Sequence, residues 1–553
     1  MKITLRSIWL LLRLLAASAV AQAQVPAWRA VTAINNANAA YSRVRAVAAD
    51  GNGNLYVVGS YYGAIVLGTL PLSYTTGLNT FVAKWNIATN AYVWAQACGG
   101  EVNTLAVNGN SMYIGGVVWA GSTSFGPYTT STIGNNAFVA KLTDNGSSGS
   151  FAWVQQLGGE SFAGVQALAV AGSSVYATGA FNSGTANFGS YTLTNAAPGY
   201  TTVGELYVAK LTDANTSVSV AWVQQVAAGQ TGKKGYPRGL AVSGSSVYVT
   251  GFPAFVAKFS DTGSFGWSKP IGGAQVYPTS LAARGADIYV TGQFRGATAT
   301  FGTTTLAQTS GSPAFSSDVF VAKLSDAGTA ATDGWALQAG GTSTDSTTAI
   351  VASSNGLYVA GSFSSATAGF GATVVTNNST NTYNGYNAFA ARIVETATGA
   401  SFAWALPAGG AGGAQATGLA TSGSGLYVVG ALGGTSASFG SLTVPLLPGS
   451  ANNNVGFLAE IGGATLAARA TTTLAEDALY PNPAAHGTAT VRVPVAKGTA
   501  TLTLLDALGR VVRTQLATPG TECQFNLVGL PTGTYLVRVQ AGETLAMRQL
   551  LVE

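Results

Sequence analysis

The 553-residue chain has one histidine, two cysteines and three methionines, and only 8% of its residues are charged. The histidine, His486, stands beside Gly487 near the C-terminal end, so residues 24–461 have none. Ser-His-Asp triads, Cys-His pairs and histidine-ligated metals are thereby excluded from that stretch, and no metal or other cofactor is expected. His486 itself reads as a surface residue. Cys98 and Cys523 lie far apart, neither in a C-x-x-C motif, and read as buried free thiols. Low charge alone would suit a disordered chain, but 47% of the residues are apolar and 72 are glycine, which points to a folded, turn-rich β protein.

Long apolar runs are also missing after the first 23 residues. Met1 to Ala23 has a basic start, apolar stretches from Ile8 to Leu12 and Leu14 to Val20, and small residues at Ala21-Gln22-Ala23. That is the layout of a secretory signal peptide cleaved after Ala23; Arg13 interrupts a run already too short to anchor in a membrane. The mature chain is expected to have no transmembrane segment. The formal charge of +5 includes Lys2, Arg6 and Arg13 from this segment. Residues 24–461 have 15 basic and 14 acidic side chains and the remainder 7 and 6, so the pI near 9.0 gives no general attraction to nucleic acid.

What the chain does have is a pattern repeated seven times between residues 40 and 461. Each copy carries a tyrosine with a glycine three residues on: Tyr56, Tyr113, Tyr176, Tyr248, Tyr289, Tyr358 and Tyr427. A Phe-Val-Ala-Lys run or near variant follows, beginning at Phe81, Phe138, Tyr207, Phe255, Phe320, Phe389 and Phe457. A tryptophan strand, usually ending in Gly-Gly, completes the unit. Turn signals such as Gly172-Ser173-Ser174 and Ser325-Asp326-Ala327-Gly328 separate four short apolar runs per copy, the make-up of a propeller blade.

The tryptophans fix how the ring closes. Trp94, Trp153, Trp222, Trp267, Trp335 and Trp404 serve six repeats, while the seventh ends at Ile461 without one and Trp28 stands alone before the first. Ala27 to Ile34 is therefore expected to supply the outer strand of the last blade, which removes an open seam of unpaired strand edges. Seven blades follow, with six or eight as alternatives. The units, best seen in Ile288 to Gly292, Asp318 to Leu324 and Trp335 to Gly341, resemble a bacterial β-propeller repeat family. That resemblance implies a fold and leaves function open.

Between the second and third strands six repeats carry an insertion with a common glycine (Gly68, Gly126, Gly189, Gly302, Gly371 and Gly440), in five cases after a phenylalanine. Strand parity puts these insertions on the same end of the ring as the blade-to-blade connections. One face is expected to be built up by loops, with a gap at the fourth blade, where Tyr248 and Phe255 are only seven residues apart.

After Ile461 the repeat stops. Residues 462–478 read as a linker and 479–553 as a separate unit of six or seven short strands, an immunoglobulin-like β-sandwich. The whole is thus expected to be all-β: a seven-bladed β-propeller over 24–461 followed by the sandwich. Tyr480-Pro481-Asn482-Pro483, the run from Leu505 through Gly509 and Arg510 to Val511, Gly533-Thr534-Tyr535 and the terminal Arg548 to Val552 resemble the C-terminal sorting domain of the type IX secretion system. The resemblance implies passage through the outer membrane by that machinery, then release or attachment to surface lipopolysaccharide after loss of the domain.

Candidate chemistry is sparse. Asp144, Asp213, Asp261 and Asp326 recur at one turn, and Lys84, Lys141, Lys210, Lys258 and Lys323 with Arg392 at one strand position, so both sets read as structural. Glu205 and Asp318 stand where Asn79 and Asn387 stand in other repeats, and bonding to nearby backbone would account for them. Asp50-Gly51-Asn52-Gly53-Asn54 lacks the distal glutamate of a calcium loop and reads as a hairpin turn. Glu101 and Glu160 follow Gly-Gly near the central opening and could form a carboxylate pair. Lys233, Lys234, Tyr236 and Arg238 form a non-repeating basic cluster entering the fourth blade, on the same face as Tyr74, Tyr128, Tyr200, Tyr383 and Tyr386. Aromatic rings among amides and hydroxyls suit a glycan or protein ligand. The leading expectation is a secreted or surface-displayed, non-enzymatic binding module. The alternatives are a polysaccharide-cleaving enzyme using Glu101, Glu160 and the basic cluster, and a structural surface-layer component.

Overall fold

The structure is a computed structural model. It describes the chain from Pro26 to the C-terminus apart from 37–39, 75–76, 160, 162, 196–203, 227–234, 310–315, 382–384, 398, 447–453, 463–471, 474–477, 486, 495–499, 507–510 and 542–543. The N-terminal segment read as a signal peptide lies outside the described residues, as does His486. The chain divides into two compact units, one over 25–463 and one containing the C-terminal residues from 464 onward.

The first unit is a seven-bladed propeller. Blades one to six each have four antiparallel strands in chain order, the first being Tyr41–Ala49, Asn54–Tyr62, Asn79–Asn86 and Ala91–Cys98, and the sixth sheet is extended by Ser436–Phe439 and Leu442–Pro445. In the seventh, Ala414–Ser422, Gly425–Leu432 and Val455–Gly462 are completed by Ala27–Ala33, which pairs with Val455–Gly462 so that Trp28 faces Ile461. The inner strands pack side by side in chain order, and the seventh, Ala414–Ser422, packs on the first, Tyr41–Ala49, which closes the ring.

The glycine after each tyrosine has one cause in all seven blades. A Cβ there would lie 1.9–2.3 Å from a carbonyl oxygen of the inner strand: Arg43, Glu101, Gly164, Tyr236, Tyr277, Ser346 or Gln415. Each inner strand bulges at this point, with register shifts such as Val44/Ala46 and Val165/Ala167. Only a residue without a side chain lets the two backbones approach this closely.

The insertions are hairpins rather than loops. In the second blade Gly121–Phe125 pairs with Tyr128–Thr132, and in the third Thr185–Phe188 pairs with Tyr191–Thr194. The common glycine sits at the hairpin turn with φ between 58° and 62° in all six, the left-handed region that favours glycine. The preceding phenylalanine is buried against the third-strand ring of its own blade, as with Phe125 on Phe138 and Phe370 on Phe389, each 4.7 Å apart. Several hairpins also bridge backward to the end of the preceding blade: Asn187 to Gly158, Thr300 to Gly272 and Gly369 to Gly340. The fourth blade has no hairpin; Ser246–Phe252 and Phe255–Ser260 are joined by Pro253 and Ala254 alone.

Adjacent blades are also clamped at the opposite end. The Tyr56 hydroxyl, the Lys84 ammonium and the Trp94 indole of blade one all donate to the carboxylate of Asp144 in blade two, at 2.8, 2.6 and 2.9 Å. Tyr113, Lys141 and Trp153 converge in the same way on Asp213 of blade three at 2.7, 2.6 and 2.8 Å. Tyr176 and Lys210 bond the carboxylate of Asp261 while Trp222 bonds its backbone carbonyl. Tyr248, Lys258 and Trp267 meet Asp326, and Tyr289, Lys323 and Trp335 meet Glu395. Asp144, Asp213 and Asp326 also hold their own turns, as in Gly146 N–H to Asp144. The turn role expected from sequence is thus the smaller part of what they do.

The second unit is a two-sheet sandwich. One sheet runs in the order Thr472–Thr473, Thr544–Val552, Gly533–Ala541, Ala500–Leu505, Val511–Ala517; the other is Leu479–Tyr480, Thr488–Arg492, Glu522–Asn526. Part of the stretch read as linker, Thr472–Thr473, thus pairs in parallel with the last strand. Leu479, Val491, Leu502, Phe525, Val537 and Leu550 fill the core. Asn482 of the Tyr-Pro-Asn-Pro run clamps the last strand, donating to Gln549 O at 2.7 Å and accepting Leu551 N–H at 2.9 Å. The Tyr535 hydroxyl donates to Pro531 O. Gly509 and Arg510 lie outside the described residues. Cys98 and Cys523 are free but half-buried rather than fully buried; desolvation raises the pKa of the Cys98 thiol.

Candidate functional site

A cavity of about 740 Å³ opens between blades two and three at the hairpin end. Its walls are the tail of the second-blade hairpin (Ser131, Thr132, Ile133), the start of the third strand at Asn136, the end of the outer strand at Gln156 to Gly159, and Asn182 to Asn187 leading through the third-blade hairpin. Gly159 lets the two walls meet: a Cβ on it would lie 2.2 Å from Thr185 O and 2.5 Å from Ser183 Oγ. Among the described lining residues none is charged, and amides and hydroxyls predominate.

Asn136 and Ser183 line this cleft; their Oδ1 and Oγ, buried from solvent against Gly158 and Gly159, have no hydrogen-bond partner in the protein. The two residues are only 5% and 7% exposed. The same orphan oxygen recurs at the equivalent Asn387 and Asp318. Space separates the three positions, since the cavity in front of Asn387 is about 130 Å³. The Oδ2 of Asp318 accepts from Thr309 N–H, Thr309 Oγ1 and Gln338 Nε2, so backbone bonding accounts for part of its role, as expected.

A second cavity of about 130 Å³, between blades three and four, is lined by Gly164, Gln166, Ala180, Asn182, Gly204, Tyr236 and Pro237. Asn182 lines both spaces, and so links the large cleft to the predicted residues of blade four. Tyr236 opens the inner strand Tyr236–Ser243, with the exposed Arg238 guanidinium 5.6 Å from its ring centre. Beside the missing hairpin, Phe252 stacks on Tyr277 at 5.1 Å and Arg295 lies 5.5 Å over the same tyrosine. Lys233 and Lys234 lie outside the described residues.

The remaining predicted residues do not gather at one place. Glu101 is held by Arg45 at 2.7 Å, an ion pair between the inner strands of blades one and two. Glu160, between Gly159 and Ser161 in sequence, lies outside the described residues, so no carboxylate pair with Glu101 is described. The Tyr128 hydroxyl donates to Ala152 O and its hairpin counterpart Tyr191 to Ala221 O; these rings fasten hairpins to outer strands. Tyr74 meets Tyr62 edge-on at 5.2 Å, and Tyr386 is half-buried. Tyr200 and Tyr383 lie outside the described residues. Among the described residues no group of three or more His, Cys, Asp and Glu comes together as a metal site would require.

Sequence reasoning passed over Asn136, Asn182, Ser183 and Trp119. Aligning the repeats on their buried tyrosines would have found two of them: the residue six positions on is Tyr62, Trp119, Asn182, Ala254, Arg295, Ser364 and Gly433, where nothing repeats.

No match was found among curated proteins. Among solved structures, the chain is similar to YCF48 bound to D1 peptide, at 10% identity over 81% of this chain and 99% of that one, with a TM-score of 0.38. It is also similar to BamB from Moraxella catarrhalis, at 11% identity over 78% and 98%, with a TM-score of 0.30. Residues 478–553 match the secretion system C-terminal sorting domain. No helix of the described residues is long and apolar enough to cross a membrane. A type IX sorting domain therefore forms the C-terminal unit of this β-propeller protein and marks the chain for export to the cell surface or beyond.

Proposed function

We propose that this is a non-enzymatic binding protein of the cell exterior whose propeller takes a neutral glycan in the cleft between blades two and three. The observation that supports this reading is the cleft itself: its volume is in the range of ligand sites, its described lining is uncharged, and amides and hydroxyls predominate in it. Sugar hydroxyls donate and accept in equal measure, so they match a surface of amides and hydroxyls better than an ionic ligand would. Met1 to Ala23 acts as the export signal in this reading, and residues 479–553 engage the secretion machinery before release or attachment to lipopolysaccharide.

Against the cleaving-enzyme alternative stands the engagement of Glu101 by Arg45, which leaves that carboxylate paired rather than free to work with Glu160. The test is a panel of glycans and polysaccharides offered to the full chain, with binding and new reducing or unsaturated ends read in the same wells. Binding without new ends, lost in Thr185→Trp, is the expected result. New chain ends would overturn the non-enzymatic reading, and binding unchanged in Thr185→Trp would move the site away from this cleft.

A further inference from the structure

Resting on the glycan reading of the cleft, we infer that it is one part of a longer track for an extended polysaccharide chain, in which Trp119 and Tyr62 are stacking platforms for successive sugar rings. Tyr62, Trp119 and Asn182 occupy the same repeat position, six residues after the buried tyrosine, in blades one, two and three. They therefore stand at the same end of the ring, one blade apart, in a row that reaches the cleft at Asn182.

Trp119 is 49% and Tyr62 50% exposed, although large rings in this propeller are otherwise mostly buried. The position does not demand an aromatic ring, since Ala254, Arg295, Ser364 and Gly433 fill it elsewhere. Core packing thus does not account for either side chain, and a flat exposed ring is the kind of surface on which the apolar face of a sugar stacks.

The backbone at Trp119 is fixed against the cleft wall. Val118, the residue before it, pairs with Asn136. The next residue, Ala120, donates its N–H to Asn135 Oδ1 at 3.2 Å. Asn136 lines the cleft. Tyr62 is steadied by the edge of Tyr74. A flat ring beside a neutral amide-and-hydroxyl surface meets both sides of a sugar unit, its apolar C–H face and its hydroxyl edge. A single sugar has room in the cleft beside Asn182; a chain is needed to reach the cleft, Trp119 and Tyr62 together.

The test titrates the full chain, by calorimetry, with cello-, xylo-, laminari- and chito-oligosaccharides of two to eight units. Wild type should gain affinity with length in the series it accepts. Trp119→Ala should lose at least tenfold on the longest oligomers and nothing on the shortest, Trp119→Phe should recover most of the loss, and Tyr62→Ala should matter only at greater length still. Equal affinity of Trp119→Ala and wild type at every length would overturn the track while leaving the cleft intact. Failure of all four series to bind, or binding indifferent to Thr185→Trp, would overturn the cleft reading and the track with it.

Discussion

The two ends of the propeller are made from one repeat and treat it in opposite ways. At the clamp end, five consecutive junctions use the same construction, a Tyr, a Lys and a Trp of one blade aimed at an acid of the next. At the hairpin end, one repeat position passes through Tyr62, Trp119, Asn182, Ala254, Arg295, Ser364 and Gly433. Repetition is kept where every blade faces the same packing problem and abandoned where the surface is free to differ. Most recurring charge in this charge-poor chain is therefore structural, and the proposed binding rests on uncharged amides and exposed rings.

The clamp end also contains its own contrast. Ile87 and Gly463 stand where the acid would close the junctions from blade seven to one and from six to seven, and Glu460 replaces the lysine. At the first of these the seam relies on Ala27–Ala33 and on apolar packing such as Leu458 and Val429 with Val57 and Phe81. At the other, the Trp28 indole donates to Pro407 O across the blades.

The largest expected effect follows from removing a buried clamp acid. Lys141 and Asp213 are only 2% and 7% exposed, so Asp213→Ala, which strands Lys141, Tyr113 and Trp153, should lower unfolding free energy by about 3–5 kcal/mol in urea titrations. Asp261 is 42% exposed, and Asp261→Ala should cost on the order of 1 kcal/mol. Equal losses would show that burial does not grade the clamps.

Next in size is the effect on binding. Thr185→Trp, on an exposed wall of the cleft, should weaken glycan affinity at least tenfold, about 1.4 kcal/mol, with the unfolding midpoint unchanged. Loss of affinity in Asp213→Ala under conditions where it stays folded would break the separation of the two ends.

Acidification should sharpen it further. Burial alone would raise Asp144, Asp213 and Asp326, but donors from lysine, tryptophan and tyrosine hold all three below the usual carboxylate range. Their stabilisation is therefore complete above the unfolded carboxylate range near about pH 4 and is lost as pH falls through the lower folded values. The unfolding midpoint of wild type should drop on acidification through that window and that of Asp213→Ala should drop less; parallel curves would contradict the assignment. The partner tyrosines move the other way, with Tyr248 and Tyr289 pushed up to about 12 by burial and their carboxylates, and stay neutral throughout. Smallest of all, Glu460→Ala at the seam should change stability by about 1 kcal/mol or less.

Much of the fold was legible because each blade repeats its own landmarks. The count of tryptophans placed Ala27–Ala33 in the last blade, and the shared glycines marked a common turn. The clamps were not, since Tyr113 and Asp213 are a hundred residues apart and only the ring brings one blade's strand end against the next. Hairpins were read as loops because four-residue strands such as Thr185–Phe188 are too short to show alternation. The cleft was hidden for a related reason: Asn136, Asn182 and Ser183 look like ordinary turn residues until two blades face each other. Tyr236 and Arg238 were singled out as non-repeating; Tyr236 lines the cavity adjoining that cleft, with the Arg238 guanidinium 5.6 Å from its ring centre.

The most direct test of the division between the two ends is the shift in unfolding temperature on adding a bound polysaccharide to wild type, Asp213→Ala and Thr185→Trp. Wild type and Asp213→Ala should both be raised by ligand, the second from a lower starting point, while Thr185→Trp should start at the wild-type temperature and not move. A shift in Thr185→Trp equal to that of wild type, or none in Asp213→Ala, would contradict it.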